Sequence, residues 1–398
     1  MLLSALAHGP TLSFDFPLSR SAALARLEAF LPFAGSAYTR FRAEERGQGR
    51  HHAVSRLSAA LRRRLISEAE VAEAVIAMHG YAASAKFIGE LFWRTYWKGW
   101  LEQHPSVWQA WRTACAQLAD QPLPVCYAEA IGGRTGIDAF DGWARELRET
   151  GYLHNWARMQ LASIWVFTLK LPWELGAAFT FQHLVDADPA SNTLSWRWVA
   201  GLHTRGKAYL ADADRINAQT AGRFHPTGLA ASADVPRETL SPEIVPVRGS
   251  IQPDPTKPSM LLLSPEDLSL ETEGDLAVLD VRRVVACRQH CGSAADIAAV
   301  ADGLQRASTH WGAPASWVDD VGTAVVAAGS GGLEQIVTGY APVGPVAESL
   351  APYRDGARIR IAEHCRAWDE HAWPHCRKGY FAFAHHIPAL LQGAGLAP

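Results

Sequence analysis

A proline-rich stretch limits the fold of this chain more than any other feature of its sequence. Between Leu229 and Pro258, six prolines fall among residues that show little hydrophobic periodicity. Proline removes a backbone N–H donor and disfavours helix interiors and central strands, so these residues are expected to form a linker. We therefore predict three parts: a domain over residues 1–228, a linker over 229–257 and a second domain over 258–398.

The first part has the pattern of a helical domain. Apolar residues recur there at three- and four-residue spacing, as in Leu24, Leu27 and Leu31, and this period is typical of helices. Ser67-Glu68-Ala69-Glu70 has the form of a helix start, in which the serine and glutamate side chains bond to each other's backbone N–H groups. No alternating run of strand length interrupts this pattern, so residues 1–228 are predicted to be all-helical.

The second domain has a different pattern. Short apolar runs bounded by turn or charged residues alternate there with helical patterns such as Ala295–Ala307. The runs are typical of buried parallel strands: Met260–Leu263, Leu276–Leu279, Ala315–Val318 and Ala357–Ile361. This alternation predicts a Rossmann-like α/β domain without the GxGxxG fingerprint of dinucleotide sites. The predicted fold class is therefore multidomain, α followed by α/β.

The composition excludes two classes of protein. With 48% hydrophobic and 19% charged residues, the chain is too apolar to be disordered. No charge-free stretch approaches the roughly 18 residues that span a bilayer, which excludes a transmembrane protein, and we expect no membrane partner. The start, MLLSALAHGP, lacks a basic region ahead of its apolar run, so we interpret it as a folded N-terminus rather than a signal peptide.

The cysteines indicate the redox environment. Six cysteines in 398 residues are too few for a disulfide scaffold and predict reduced thiols in the cytoplasm. The four in the second domain stand at spacings that match no zinc or iron–sulfur site: Cys287, Cys291, Cys365 and Cys376. Buried structural thiols account for them better, and we expect no metal ion.

A cluster of arginines leaves two interpretations open. The net charge is −3, which argues against a general nucleic-acid binder. Eight arginines nevertheless fall in one short stretch: Arg40, Arg42, Arg46, Arg50, Arg56, Arg62, Arg63 and Arg64. They form either a surface that attracts phosphates or a solvated face balanced by nearby glutamates.

The tryptophans concentrate where polar residues with cofactor chemistry also stand. Eleven of the 15 tryptophans lie between Trp93 and Trp198, and such density indicates a heavy core, base stacking or electron transfer. In the same region Arg158, Asp186 and Asn192 could serve a heteroaromatic cofactor. Asp188 precedes Pro189 and has the position of a helix cap. Capping and core packing explain many of these residues without any ligand.

Four ordered motifs between about residues 35 and 225 carry a family resemblance. The sequences are SRLSAAL at 55–61, ELFWRTY at 90–96, TGYLHNWARM at 150–159 and DADPASNTLSWRW at 186–198. They resemble the TSxLSPYL phosphate loop, the ExxWRxxY helix and the TGxxHNxxRM and DxDxxxNxxxWxW signatures of the DNA photolyase/cryptochrome family, with Val54 in place of the loop threonine.

The resemblance implies an FAD site with assigned roles. Arg94 would approach the flavin diphosphate, Arg158 would approach the isoalloxazine with Asp186 as its partner, and Asn192 would face flavin N5. The full set of implied FAD contacts is Tyr38, Ser55, Leu57, Ser58, Arg94, Asn155, Arg158, Asp186, Asp188 and Asn192. Serine hydroxyls and backbone amides at a helix start are suited to a pyrophosphate.

The resemblance also implies a lesion pocket. All six positions have the residue type found in pyrimidine-dimer photolyases: Arg42, Glu90, Trp93, Asn155, Met159 and Trp198. Trp93 and Trp198 would stack on a flipped-out dimer and Glu90 would hydrogen-bond to the base edge. The implied function is blue-light-dependent, FAD-dependent repair of cyclobutane pyrimidine dimers in single- or double-stranded DNA.

Two departures from the family pattern favour an alternative. Trp156 stands where many photolyases have an arginine, and Trp196 and Trp173 match the inner two members of the family's electron-transferring tryptophan chain without an outer third. Either Trp165, Trp108 or Tyr152 substitutes for the missing member, or the series of tryptophans is truncated. The alternative is a cryptochrome-like photoreceptor that binds FAD and signals through a protein partner.

The second domain resembles the α/β antenna domain that normally begins a photolyase. LLLSPEDL at 261–268 resembles that domain's first strand and turn, and KGYFAF at 378–383 resembles the segment after its last strand. This order predicts a circularly permuted photolyase, in which a second, antenna chromophore of unknown identity is a further expectation.

Overall fold

The contacts of the chain divide it into two compact units. The structure is a computed structural model and describes residues 16–51, 53–123, 125–204, 206–238, 241–354 and 359–396. Among these, residues 33–54 and 104–244 form unit 1, and residues 16–32, 55–103 and 245–396 form unit 2. The predicted folded N-terminus, MLLSALAHGP, lies outside the described residues. The boundaries predicted at 228 and 258 stay a prediction, because contact units and family domains are different divisions of a chain.

Unit 1 consists of helices. They are α2 (Ser36–Phe41), α5 (Pro105–Ala119), α6 (Val125–Gly132), α7 (Asp138–Thr150), α8 (Asn155–Ser163), α9 (Trp173–His183), α10 (Pro189–Val199) and α11 (Ala213–Gln219). A π-helical segment, Ile164–Thr168, continues α8. Its tryptophans supply much of the core, since Trp108, Trp143 and Trp165 are all at most 2% exposed. The prediction of a helical first part is confirmed.

Unit 2 is built on a parallel sheet. Its strands are β1 (Ser259–Leu263), β2 (Val281–Cys287), β3 (Ala315–Val318), β4 (Gln335–Gly339) and β5 (Arg360–His364), in the order β3-β2-β1-β4-β5. Helices α12 (Ala294–Trp311), α13 (Val321–Ser330), α14 (Pro345–Arg354), α15 (Ala367–Ala372), α16 (Tyr380–Ala384) and α17 (Ile387–Gly393) accompany them. The β1 strand is buried at every residue, as expected for a parallel sheet with helices on its faces. The predicted α/β architecture is therefore confirmed.

Three helices from the N-terminal part of the chain also belong to unit 2. They are α1 (Arg20–Phe30), α3 (Ser58–Arg62) and α4 (Glu68–Gln103). The start of α4 is the predicted one, since the Glu70 N–H donates to Ser67 Oγ (3.2 Å) and the Ser67 N–H donates to Glu70 Oε2 (2.8 Å). Gly80 interrupts α4 with φ of +71°, a conformation that favours glycine.

Two of the four predicted strands need correction. Leu276–Leu279 is not a strand, because Gly274–Leu276 forms a 3₁₀ turn and β2 begins only at Val281. The paired arginines 282 and 283 break the apolar run that would have marked β2. The last strand is Arg360–His364 rather than Ala357–Ile361, and residues 357–358 of that prediction lie outside the described residues.

Ion pairs within unit 2 show that three arginines of the cluster fit neither of the two interpretations. Arg62 pairs with Glu266 (2.8 Å), Arg63 with Asp296 (2.8 Å) and Arg64 with Asp369 (2.5 Å). All three arginine side chains are at most 9% exposed. These buried side chains are therefore not part of a phosphate-attracting surface. Their ion pairs hold α3 and the turn after it against the α/β layer.

The proline-rich stretch has no regular secondary structure where it is described, and its role as a linker between domains stays a prediction. Between Gln219 and Ser259 the described residues contain no helix and no strand. No helix among the described residues combines the length and apolar character that crossing a membrane requires.

Candidate functional site

An ion pair in unit 1 joins two of the predicted cofactor residues. Arg158 lies on α8 and its NH2 group is 3.0 Å from Asp186 Oδ2. The Asp186 side chain is 3% exposed, whereas that of Arg158 is 27% exposed. Arg158 Nε also donates to the Leu153 carbonyl (2.7 Å), so the guanidinium is held from two sides. Part of the guanidinium stays accessible for a ligand.

Helices α9 and α10 meet beside Asn192 in the same unit. Asn192 Oδ1 accepts a hydrogen bond from Thr180 Oγ1 (2.8 Å), and Asn192 Nδ2 donates to the Ala177 carbonyl (2.9 Å). Trp196 Nε1 donates to the same Thr180 hydroxyl (2.8 Å). Because each of these bonds uses one site of the amide, Asn192 keeps one free N–H and one lone pair. Sequence reasoning missed Thr180, which no motif singles out.

Asp188 takes the capping position that the sequence predicted. Its Oδ1 accepts from the Ser191 N–H (2.7 Å) at the start of α10, with Pro189 in the first turn. The residue is 1% exposed. Capping accounts for one of its carboxylate oxygens, and its role in binding FAD stays a prediction.

A buried polar cluster lies immediately before α8. The His154 and His51 rings stack with centroids 4.8 Å apart, and Glu45 accepts from the Trp143 indole N–H (3.2 Å) and the Gly47 N–H (2.8 Å). Burial, followed by the neighbouring His51 and Arg158, lowers the pKa of His154 to about 3, so this imidazole is neutral at physiological pH.

The same cluster tests whether FAD fits unit 1. Nε1 of Trp156, which is 3% exposed, makes no hydrogen bond with the described residues. Buried polar atoms rarely stay unpaired in native proteins. The Trp156 indole N–H, the accessible guanidinium of Arg158 and the free N–H of Asn192 are all donors, and a heteroaromatic group rich in acceptors is a ligand that such donors fit.

The predicted lesion residues of unit 1 are partly accessible. Asn155 begins α8 and is exposed, and Met159 lies one turn later on the same face and is half-buried. Trp198 is half-buried and lies against Tyr209, with ring centroids 5.7 Å apart. Arg42 and Tyr38, at the end and in the middle of α2, are half-buried. These side chains are at least partly exposed, and their role in binding a lesion or FAD stays a prediction.

Trp156 is a core residue rather than a surface contact. It is 3% exposed and its ring meets Trp143 edge-on at 6.1 Å. The position that carries an arginine in many photolyases is therefore filled in this chain by a buried ring that packs on Trp143.

Trp165, which lies in the π-helical segment, contacts the Trp196 ring. Their centroids are 6.0 Å apart, and Tyr127, which is half-buried, lies 6.0 Å beyond Trp165. Of the three substitutes proposed for the outer tryptophan, Trp165 contacts Trp196 directly. Trp173 is 5% exposed and lines a cavity of about 330 Å³ together with Lys170 and Arg237.

Glu90, Trp93 and Arg94 belong to unit 2, on one turn of α4. Glu90 pairs with Lys86 (3.0 Å), and all three predicted residues are half-buried. The Trp93 ring is stacked on Tyr380, with centroids 3.6 Å apart and planes 9° apart. The Tyr380 hydroxyl donates to the Gly89 carbonyl (2.5 Å). One face of a predicted lesion-stacking ring is thus covered by α16, which the sequence did not predict.

The predicted phosphate loop also lies in unit 2. Helix α3 begins at Ser58, and the Leu57 N–H ahead of it donates to Ser55 Oγ (3.3 Å). Ser55 and Ser58 are half-buried, whereas Leu57 is 0% exposed, so Leu57 could reach a ligand only through its backbone. The predicted site residues are therefore divided between the two units.

One group of side chains has the spacing of a metal site. Glu273, Asp275 and His364 offer ligand atoms within 4.8 Å of one another in unit 2. Glu273 is already paired with Arg366 (2.5 Å) and His364 (3.2 Å). The group contains none of the cysteines considered from the sequence.

Comparison with known proteins finds a similarity to DNA photolyases. The sequence model of one protein family, the FAD binding domain of DNA photolyase, matches residues 87–229. The "Deoxyribodipyrimidine photo-lyase" of Escherichia coli is 30% identical over 62% of this chain and 52% of its own length. A protein of the same name from Thermus thermophilus is 35% identical over 47% of this chain and 44% of its own length.

The similarity covers only part of these proteins. The chain spans about half the length of the curated relatives it matches. A solved structure, a bacterial class III photolyase from Agrobacterium tumefaciens, is 26% identical and covers 52% of this chain and 44% of its own, with a TM-score of 0.44.

Proposed function

We infer that this chain, which belongs to the DNA photolyase/cryptochrome family through its FAD-binding domain, is a photolyase that repairs cyclobutane pyrimidine dimers under blue light. The observation that carries the proposal is the arrangement in unit 1 of a partly exposed Arg158, held by the buried Asp186, and an Asn192 amide held by two hydrogen bonds. All three residues lie inside the segment that matches the FAD-binding domain.

The residues of this chain would bind and orient FAD, with Arg158 and Asn192 as donors to its ring and Asp186 holding Arg158 in place. The backbone around Ser55 and Ser58, together with Arg94, would hold the diphosphate. When bound and reduced, FAD supplies the light-driven electron that splits the cyclobutane ring. No hydrolytic side chain is required for this chemistry.

The lesion would be held by the remaining predicted residues. Trp198 offers a half-buried ring for stacking a flipped-out pyrimidine, and Asn155 and Met159 lie on one accessible face of α8. Glu90 would accept hydrogen bonds from the base edge, with Lys86 as its alternative partner in the free protein. Arg42 and Trp93 complete the proposed set.

The experiment illuminates the reduced, FAD-loaded protein with dimer-containing single-stranded and double-stranded DNA and counts the remaining dimers. Glu90→Gln keeps the shape of the side chain and removes its charge, so repair should fall at least about tenfold. Glu73→Gln, an exposed position on the same helix, should not change repair. If neither DNA substrate loses dimers while flavin photochemistry is intact, the proposal is wrong.

One observation favours the cryptochrome-like alternative. Tyr380 covers a face of Trp93, the ring that a photolyase of this kind would use for stacking. A photoreceptor needs no such face and would instead signal through a protein partner. Absence of FAD photochemistry in the wild-type protein would contradict both functions. Photochemistry without dimer repair would contradict the photolyase function and would support the photoreceptor.

A further inference from the structure

Helix α9 contacts α10 through three residues, Gly176, Ala177 and Thr180, each in a different way. At Gly176, an added Cβ would stand 2.3 Å from Trp196 Cη2, so only glycine lets the indole approach this closely. One residue later, the Ala177 carbonyl accepts from Asn192, and one turn later Thr180 contacts both Asn192 and Trp196. The side chains of Thr180, Asn192 and Trp196 are at most 8% exposed, so solvent competes little for their hydrogen bonds.

The donor and acceptor groups available to Trp196, Thr180 and Asn192 determine the direction of each hydrogen bond between them. The Trp196 indole can only donate, so Thr180 Oγ1 must accept from it. The hydroxyl has a single proton, and its nearest acceptor is Asn192 at 2.8 Å, compared with 3.2 Å for the Gly176 and Ala177 carbonyls. The atom of Asn192 that meets Thr180 is therefore its carbonyl oxygen.

The opposite orientation of the amide is disfavoured. If the Asn192 amide flipped, its oxygen would stand about 2.9 Å from the Ala177 carbonyl oxygen, where two acceptors face each other without a proton. The amide nitrogen would then meet Thr180, whose hydroxyl would have to turn to the more distant helix carbonyls. The second N–H of Asn192 is consequently the group that stays free.

We propose that Thr180 is a positioning residue, which locks the Asn192 amide so that it presents an N–H donor to the bound flavin and holds the Trp196 indole at the same time. The hydroxyl links the two residues because it accepts from one and donates to the other. The identity of the ligand rests on the proposed function, whereas the lock itself is a property of the protein.

The first test uses the protein without FAD. Ultraviolet resonance Raman spectra report the hydrogen bonding of indole N–H groups, and the difference between wild type and Trp196→Phe isolates the Trp196 signal. In Thr180→Val, which keeps the shape and loses the hydroxyl, the signal should move to the frequency of an unbonded indole. Thr180→Ser should retain the bonded signal.

A neighbouring threonine provides the matched control. Thr193 is 0% exposed on α10 and its hydroxyl has no hydrogen-bond partner among the described residues. Thr193→Val therefore makes the same chemical change one residue from Asn192, and it should leave the Trp196 signal unchanged. If Thr180→Val does not fold, the wild-type spectrum decides, because an unbonded Trp196 in wild type overturns the proposal.

The second test measures the reduction potential of bound FAD in the same variants. Thr180→Val should shift the potential, since the Asn192 amide is then held by the Ala177 carbonyl alone and its second N–H is directed at the flavin less firmly, and Thr180→Ser should restore it. A changed indole signal with an unchanged potential would overturn the link to the cofactor. Dimer repair by the wild-type protein is a separate measurement, so failure of the lock and failure of the proposed function are distinguishable.

Discussion

Asn192 and Trp196 lie one turn apart on α10, and their side chains end on the same hydroxyl of α9. A movement of either residue affects the other, because the Thr180 hydroxyl donates to Asn192 and accepts from Trp196. This relationship changes the meaning of a substitution at position 192. Asn192→Asp would place an oxygen against the Ala177 carbonyl, so it would disturb the contact of α9 with α10 as well as any flavin chemistry.

Retention of FAD should depend on the Arg158–Asp186 pair. Removal of one partner of a fully buried pair costs about 3–5 kcal/mol, and the cost here is smaller because Arg158 is 27% exposed. Asp186→Ala removes the partner that holds the Arg158 guanidinium in place. This variant should purify with little FAD, as measured by the ratio of flavin to protein absorbance. Asp214→Ala, an exposed aspartate on α11, should retain wild-type FAD. Equal FAD content in both variants would show that Arg158 does not need its partner.

Tyr380 should control access to Trp93. Tyr380→Ala removes the stacked ring and should uncover one face of Trp93, at a cost of about 3 kcal/mol in the free energy of unfolding. We expect stronger quenching of tryptophan fluorescence by acrylamide and tighter binding of dimer-containing DNA. The neighbouring Phe381 is 81% exposed, and Phe381→Ala should change neither measurement. Weaker binding in Tyr380→Ala would mean that the covered face is not the one that stacks on a lesion.

Electron transfer to photoexcited FAD should pass through Trp165. The Trp196, Trp165 and Tyr127 rings follow one another at 6.0 Å, and Tyr127 is the half-buried end of the series. Trp165→Phe should slow photoreduction of bound FAD several-fold, and Tyr127→Phe should shorten the lifetime of the charge-separated state seen by transient absorption. Trp108→Phe changes a buried ring that packs on Trp111 and should have no effect. A wild-type rate of FAD photoreduction in Trp165→Phe would contradict this prediction and would indicate that the electron passes through Trp173 instead.

Stability should fall as the pH decreases below about 6.5. Burial lowers the pKa of His154 and His203 to about 3 and that of His183 and His290 to about 4. The unfolded chain binds protons at these histidines below their ordinary pKa of 6.5 while the folded chain does not. Each histidine therefore contributes stability that is present above pH 6.5 and is lost as the pH falls toward its folded pKa of about 3 or 4, by at most about 1.4 kcal/mol per pH unit.

Urea unfolding between pH 7.5 and pH 5 measures this loss. His290→Asn should reduce the slope of the unfolding free energy against pH, because one depressed histidine is removed. His310→Asn, at an exposed histidine of α12, should leave the slope as in wild type. Identical slopes in all three proteins would contradict the assignment to buried imidazoles.

The sequence by itself determined the features that arise from neighbouring residues. The start of α4 at Ser67 and Glu70, the cap of α10 at Asp188 and the buried strand at Met260–Leu263 were all predicted correctly. In each case the interacting groups lie within a few residues, so spacing and side-chain type specify the structure. The ordered motifs likewise predicted the pairing of Arg158 with Asp186, which the 3.0 Å contact between their side chains confirms.

Only the tertiary structure decided the contacts between distant parts of the chain. Arg62 and Arg64 meet Glu266 and Asp369, some 200 to 300 residues away, and no local pattern distinguishes such buried pairs from a solvated basic surface. Tyr380 covers Trp93, and Thr180 gains its two partners only where α9 meets α10. These contacts depend on which helix faces pack together, because a hydroxyl or a ring has no distinctive spacing until its partner is brought beside it.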